Sequence, residues 1–224
     1  MIIIDERFRI PHEAEQFEGF RHWVESGDFP ESGRIDYLAG DVEIEMSPED
    51  LHTHGVVKAE IAARLHALAA DRDLGEVFVD RARVVHRAAG LSAEPDVVVV
   101  LWSSLESGRV RYVPASDKGP GRFSEIEGSP DLLVEIVSDS SERKDTERLP
   151  RLYAAAGIPE LWLVDARGGD LRFQIHTLRS GRYAAVTPDL QGWTPSPVLA
   201  ARFRLVRERT RLSTWRYRLA EDPL

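Results

Sequence analysis

The segment "PDLLVEIVS", residues 130–138, most constrains the fold of this chain because it places a carboxylate inside a core strand. Its apolar residues form the nearly continuous run that is typical of a β-strand covered on both faces. Glu135 lies in the middle of that run. A buried ionised carboxylate is costly unless it is paired with a cation or bound to a metal ion. The segment therefore predicts a central strand whose acid requires a partner.

A second segment of the same type, "EPDVVVV" at residues 94–100, supplies a candidate partner for Glu135. Asp96 directly precedes four valines and is expected at the sheet edge, where its strand enters the core. If the two strands pair, the carboxylates of Asp96 and Glu135 converge on one point, as in sites for hard cations. A Pro-Asp pair can also simply turn the chain into a strand. We prefer that simpler interpretation for Asp131 and the cation site for Asp96, because a mid-strand Glu135 has no role in a turn.

The chain contains no cysteine, which excludes disulfides, thiolate zinc sites and cysteine nucleophiles. Oxygen and imidazole remain as metal ligands, and oxygen ligands favour Mg²⁺ or Mn²⁺. The formal net charge of −9 argues against an extended nucleic-acid coat but permits a local basic face. No apolar run is long enough to span a membrane, and no signal peptide is recognisable. These features predict a cytoplasmic protein that does not associate with a membrane.

The order of elements predicts an α/β protein, more readily one large domain than two small ones, rather than a solenoid or an all-β sandwich. The sequence patterns indicate a first helix ending near Gly27, a hairpin around "AGD", and a helix over residues 52–75 that lies against a sheet. Strands, a helix and a final hairpin follow, interrupted by a predicted loop over residues 103–128. We assign the core to about residues 30–185 and a C-terminal extension to about 186–224.

The extension is rich in arginine and carries Phe203, Trp215 and Tyr217 between the arginines. Arginines alternating with aromatic side chains suit phosphates and unstacked bases, which indicates a nucleic-acid patch. The alternative is a solvated edge strand and tail that partly neutralises an acidic protein. We favour the solvated tail.

Two basic residues, Lys144 and Arg148, bracket Asp145 where the helix after the Glu135 strand begins. A cation at this place could reach back over the strand end, position a water molecule and stabilise a phosphorane-like charge. The alternative is an ordinary helix start, in which Asp145 and Glu147 interact with the helix dipole and Lys144 is solvated. Both interpretations remain open.

The motif "HTHG" places His52 and His54 ahead of a helix. No third ligand at a familiar zinc spacing accompanies them, so we interpret His54 as a positioned polar group near the site rather than a ligand. Glu43 and Glu45 alternate with apolar residues and are expected on the solvent face of their strand.

The ordered set "MSP", a following His, "PDVVVV", "PDLLVEIVS" and "YAAAGIPELWLVD" resembles the Uma2 family, also called DUF820. This family is assigned to the restriction-endonuclease-like PD-(D/E)XK superfamily. The likeness runs from about Arg34 to Asp165 and more weakly to Phe203. It implies a mixed sheet flanked by helices and a Mg²⁺-dependent phosphodiesterase site, with Asp96 and Glu135 as the metal ligands.

The chain departs from the superfamily pattern at the lysine. The position two residues past the acid is Val137, and the position that Uma2-like proteins use on the following helix is Leu149. Lys144 or Arg148 would have to act instead. Arginine can stabilise charge but is a poor proton acceptor because of its very high pKa.

Three hypotheses follow. The first is a Mg²⁺- or Mn²⁺-dependent endonuclease that acts on DNA, with Asp96 and Glu135 as ligands, Lys144 or Arg148 as the cation, and His54 nearby. The second is a nuclease-fold protein that has lost turnover and serves as a nucleic-acid or protein binding module. The third is a homodimeric interaction protein in which a buried arginine neutralises Glu135. We expect a homodimer for the enzyme as well.

Overall fold

A computed structural model describes residues 9–30, 33–115 and 119–223 of the chain. Two short turns, Leu51–Gly55 and Lys144–Arg148, lead directly into the second and fourth helices. The helices are α1 (Phe17–Val24), α2 (Val56–Asp71), α3 (Trp102–Glu106) and α4 (Leu149–Ala155). The strands are β1 (Arg34–Leu38), β2 (Asp41–Glu45), β3 (Gly75–Val79), β4 (Arg83–His86), β5 (Leu91–Ala93), β6 (Val97–Leu101), β7 (Val110–Pro114), β8 (Phe123–Gly128), β9 (Leu132–Ile136), β10 (Glu160–Asp165), β11 (Arg172–Arg179), β12 (Arg182–Ala185), β13 (Thr194–Ser196), β14 (Ala201–Arg209) and β15 (Trp215–Pro223).

The strands form three sheets. The central sheet has the order β12-β11-β10-β9-β6-β3, and the outer sheet has the order β2-β1-β5-β4-β8-β7. Each combines one parallel pair, β9 with β10 and β4 with β8, with antiparallel neighbours. The C-terminal sheet, β13-β14-β15, is antiparallel. The predicted α/β class with mixed sheets flanked by helices in a single domain is confirmed, although three sheets replace the single predicted sheet.

The central sheet is covered on both faces, as the apolar runs of β6 and β9 predict. Alternate side chains of these strands, such as Val97 and Val134, pack against α2 and the C-terminal sheet. The residues between them, such as Val98 and Leu133, pack against α4 and the outer sheet. Fully burying one side chain of this size contributes about 1.5–3 kcal/mol, so the two packed faces fix the strands and the acids that they carry.

One sequence prediction outside the central sheet is wrong, and a second is only partly right. The predicted loop over residues 103–128 contains α3, β7 and β8, and Val110 and Ile126 are buried in the core. The strand pattern was not recognised in the sequence because the strands are short and separated by glycine-rich turns. Residues 116–118 of that stretch lie outside the described residues. The arginine-rich segment was expected to be a solvated edge strand and tail. It folds as the β14–β15 hairpin, in which β15 is an edge strand with exposed arginines, but Phe203 and Leu219 are buried in the α2 cluster. Alternation of arginine with apolar residues at period two is what a half-buried strand requires.

Helices that are both long and apolar enough to cross a membrane are absent from the described ranges 9–30, 33–115 and 119–223. The division into a core of residues 30–185 and an extension stays a prediction.

Candidate functional site

The register of β6 and β9 brings Asp96 beside Glu135. The two strands are antiparallel, with Val97 paired to Val134 and Val98 to Leu133. Continuing the register by one residue places Asp96 opposite Glu135, and side chains of opposed residues in an antiparallel pair lie on the same face. The backbone N–H of Ile136 donates a hydrogen bond of 2.8 Å to Asp96 Oδ2, which holds the carboxylate across the strand end.

Asp96 is fully buried and lies among three basic side chains. Arg34 Nη2 is 2.9 Å from Oδ1, Lys58 Nζ is 3.8 Å from Oδ1, and His54 Nε2 is 3.4 Å from Oδ2. Burial would raise the pKa of Asp96, but the hydrogen bond from His54 and the charges of Arg34, His54 and Lys58 hold that pKa below its usual value. Asp96 is therefore ionised throughout the neutral range.

Glu135 lies in a different environment, although it is equally buried. Tyr153 donates a hydrogen bond of 2.5 Å to Glu135 Oε1. Burial, followed by the negative charges of Asp96 and Asp145, raises the pKa of Glu135 well above its usual value, against the smaller effects of Arg34 and Tyr153. An additional cation bound beside Glu135 would stabilise its ionised form and offset the repulsion from the neighbouring acids.

Asp145 is the third acid of this group. Its pKa is raised to about 7 by burial and by the charge of Asp96, although Ser141 donates a hydrogen bond to it and Lys144 lies nearby. Its Oδ1 is buried and has no hydrogen-bond partner among the described residues. The sequence associated Asp145 with a helix start, but the structure directs its carboxylate towards the site.

The two predicted cations are placed differently from His54. Lys144 Nζ lies 3.3 Å from Asp36 Oδ2 and 3.3 Å from Glu45 Oε2, at the margin of the acid group. Arg148 pairs with the β1–β2 hairpin, at 2.8 Å from Asp41 Oδ2. The structure thus brings Asp96, Glu135 and His54 together, with Lys144 nearby and Arg148 on the hairpin. Their catalytic roles stay predictions.

The prediction that Glu43 and Glu45 lie on the solvent face of β2 is wrong. Glu43 and Glu45 are partly buried, whereas Ile44 and Met46 are exposed. The reason is ionic: β2 is the edge strand next to the 144–148 turn, where Glu45 pairs with Lys144 and Glu43 with Arg148. The pairing turns the acids inward and leaves the apolar residues in solvent.

Sequence reasoning missed Arg34, Glu49 and Lys58. Lys58 follows His54 by four residues, and residues at this spacing share a helix face, so the motif "HTHGVVK" held a signal for it. Arg34 and Glu49 reach the site from β1 and from the segment before α2, and no local pattern indicates that.

A cavity of about 460 Å³ opens over this group and is lined by Arg34, Glu49, His54 and Lys58, together with Ser138 and Ser140. Asp96 lies behind the basic side chains. The residues fit a hard divalent cation: ligand atoms of Glu49, His54 and Asp96 lie within 4.8 Å of one another. His54 Nδ1 is a buried nitrogen that lacks a hydrogen bond, although Glu49 Oε2 is 3.1 Å away. Carboxylate and imidazole donors of this kind suit Mg²⁺ or Mn²⁺.

The structural condition set by the third hypothesis is not met. Glu135 accepts its hydrogen bond from Tyr153, and Arg34 forms its ion pair with Asp96. Glu135 lies in register with Asp96 rather than at a distance from it.

Comparison with known proteins relates the chain to a protein family and to a solved structure. Residues 17–208 match the model of the Uma2 family, which is described as "Putative restriction endonuclease". The crystal structure of a protein described as a putative nuclease belonging to DUF820, from Anabaena variabilis ATCC 29413, superposes with a TM-score of 0.60 at 16% sequence identity. The match covers 82% of this chain and 90% of that one, and it shows a common fold. No curated protein matches the chain.

Proposed function

The chain belongs to the Uma2 family, and on that premise we propose that it is a Mg²⁺- or Mn²⁺-dependent endonuclease that hydrolyses phosphodiester bonds of DNA in the cytoplasm. The observation that carries the proposal is the buried pair of Asp96 and Glu135. The pair lies where strands β6 and β9 meet, and burial, followed by the charge of Asp96, raises the pKa of Glu135. Among the described residues, the charge of Arg34 only partly offsets the burial of Glu135 and the repulsion from the neighbouring acids, and a bound cation would offset the rest.

Each residue has a role in this proposal. Asp96 and Glu135 hold the cation, and Tyr153 fixes the orientation of Glu135 by its hydrogen bond. His54 contacts Asp96 and orients it from the start of α2. A divalent cation bound there would offset the charge of the scissile phosphate and acidify a water molecule. Arg34 lines the cavity and, in the presence of a bound cation, would be placed to donate to a second phosphate oxygen.

The test compares the two Pro-Asp aspartates. Each variant, Asp96→Asn or Asp131→Asn, removes a carboxylate charge from a Pro-Asp motif. Asp131 lies at the opposite end of the paired strands β6 and β9, where it accepts hydrogen bonds from Leu101 N–H and Ser104 Oγ. We expect Asp96→Asn to lose cleavage of supercoiled plasmid and of single-stranded DNA, and Asp131→Asn to keep it. EDTA should stop the wild type. Cleavage by Asp96→Asn at the wild-type rate would refute the proposal.

The second candidate is a binding module without turnover. It is favoured by apolar residues at both expected lysine positions, Val137 and Leu149, both of which are buried. Isothermal titration with Mn²⁺, combined with cleavage assays, distinguishes the two candidates. Metal binding without cleavage across plasmid, single-stranded and RNA substrates selects the binding module.

Homodimer formation also stays a prediction. Light scattering coupled to size-exclusion chromatography measures it directly, with and without DNA.

A further inference from the structure

The chain carries only three lysines, and two of them lie in the candidate site. The family positions for the lysine hold Val137 and Leu149, and Leu149 is packed in the apolar cluster of α4. A lysine side chain could not be placed there without disturbing that cluster. If the reaction needs an ammonium group, it must come from another element.

Lys58 meets the geometric requirement from the side of α2. Its Nζ lies 2.6 Å from Asp80 Oδ1, 2.8 Å from Glu49 Oε2 and 3.8 Å from Asp96 Oδ1. The residue is 6% exposed, yet it lines the cavity above Asp96. It lies one helical turn after His54, so the helix presents both side chains to the same carboxylate.

Lys144, the cation expected from the sequence, is placed less favourably. Its ion pairs are with Asp36 and Glu45, and it lines a neighbouring cavity of about 410 Å³ together with Arg148. Of the two lysines that the structure describes, Lys58 is the one whose ammonium pairs with Asp96. The distinction is positional, since both lysines are equally buried.

We propose that Lys58 supplies the ammonium group that the family positions lack, by contacting a non-bridging oxygen of the scissile phosphate. This assignment rests on the proposed nuclease function. In that reaction the oxygen of water bonds to phosphorus, one ester P–O bond breaks, and the leaving oxygen takes up a proton, so one water is consumed. The products are a phosphomonoester and an alcohol, and Lys58 remains protonated throughout.

The present partners of Lys58 can yield to a phosphate. The side chains of Glu49 and Asp80 are 44% and 54% exposed, so both can rotate into solvent when a substrate oxygen arrives. An ammonium is a compact charge with three donors and fits a single oxygen, whereas a guanidinium prefers paired oxygens. Two carboxylates thus hold Lys58 in position until the substrate replaces them.

The experiment uses the full chain with Lys58→Met, Lys58→Arg and the control Arg64→Met. Arg64 lies on the same helix but contacts Leu219 O of the C-terminal sheet. We expect Lys58→Met to lose about 100-fold or more in kcat, as for removal of one transition-state donor. Arg64→Met should stay within about twofold, the scatter expected for a residue remote from the reaction. Lys58→Arg should recover part of the loss.

A second measurement separates this role from a structural one. Lys58→Met removes a positive charge beside Asp96, so its affinity for Mn²⁺, measured by titration without DNA, should equal or exceed that of the wild type. A joint loss of cleavage, Mn²⁺ affinity and melting temperature would show that Lys58 only supports the fold and would overturn the assignment. If Lys58→Met does not fold, Lys58→Arg decides, because a wild-type kcat in that variant also overturns a role specific to an ammonium.

Other outcomes distinguish the assignment from its premise. Full cleavage by Lys58→Met alongside an inactive Lys144→Met would overturn the assignment in favour of Lys144 and leave the nuclease proposal standing. No cleavage by the wild type on any DNA would overturn both.

Discussion

Two buried glutamates on neighbouring parallel strands, Glu135 on β9 and Glu160 on β10, have opposite surroundings. Glu160 is fully buried and accepts hydrogen bonds from Ser196 Oγ at 2.5 Å, Trp162 Nε1 at 2.7 Å and Val198 N–H at 3.3 Å. Glu135 is as buried but accepts from Tyr153 alone among the described side chains. Its remaining neighbours include the acids Asp96 and Asp145.

The difference separates a structural acid from a proposed functional one. Glu160 binds donors of the segment before β14 and so joins the C-terminal sheet to the central sheet. Burial raises its pKa, but three hydrogen bonds act in the opposite direction. Within the described part of the chain, Glu135 has a side-chain hydrogen bond only with Tyr153, and its charge is opposed by Asp96 and Asp145. A buried carboxylate whose charge is not neutralised within the fold is the better candidate for a metal ligand.

The largest expected effect is on cleavage. Glu135→Gln removes a proposed ligand charge, so we expect about a 1000-fold loss of rate on plasmid DNA with Mg²⁺, which corresponds to about 4 kcal/mol. Glu160→Gln should cleave within about threefold of the wild type, because the residue is remote from the cavity. Equal losses in the two variants would remove the distinction between these acids.

The second effect, on the free energy of unfolding, should run in the opposite order. Glu160→Ala leaves three buried donors without an acceptor, and we expect a loss of about 3 kcal/mol. Glu135→Gln keeps an acceptor for Tyr153 and removes the repulsion by Asp96, so it should not destabilise the metal-free protein. Urea unfolding in EDTA measures both values. A larger loss for Glu135→Gln would mean that Glu135, too, is chiefly structural.

The sequence identified one of these acids and overlooked the other. Glu135 attracted attention because it interrupts an apolar run, and its pairing with Asp96 followed from two similar strands. Glu160 follows a proline at the start of its strand and gave no such signal. Two of its three donors come from residues 196 and 198, more than thirty positions away, and only the folded chain brings them to Glu160.

The same limit explains the rest of the site. The two core strands could be predicted because periodicity is local. Asp131 was interpreted as a turn residue, and the structure shows it buried, with hydrogen bonds from Leu101 N–H and Ser104 Oγ. The places of Arg34 and Glu49 in the site could not be predicted, because they depend on how the outer sheet and the segment before α2 pack against the central sheet. The arginine-rich hairpin was misjudged because charge was given more weight than its period-two alternation.

The smallest effect concerns pH. The pKa of Glu135 is raised in the folded protein, mainly by burial and then by Asp96 and Asp145. A raised carboxyl pKa destabilises the fold where the unfolded chain would be ionised, so the penalty is present at neutral and alkaline pH and disappears below the unfolded pKa of about 4.3. Glu135→Gln cannot ionise and therefore escapes the penalty. In EDTA at pH 8 its melting temperature should exceed that of the wild type by about 2–4 °C, the shift that about 1 kcal/mol produces in a domain of this size.

The difference should vanish near pH 4, where Glu135 is protonated in both states, and saturating Mg²⁺ at pH 8 should reverse its sign because only the wild type gains a ligand for the ion. Glu160→Gln serves as the matched control: with its donors still satisfied, its response to Mg²⁺ should equal that of the wild type. A melting difference for Glu135→Gln that is constant from pH 4 to pH 8 would show that repulsion among the three acids does not distinguish Glu135 from Glu160. The contrast between the two glutamates would then reduce to hydrogen bonding alone.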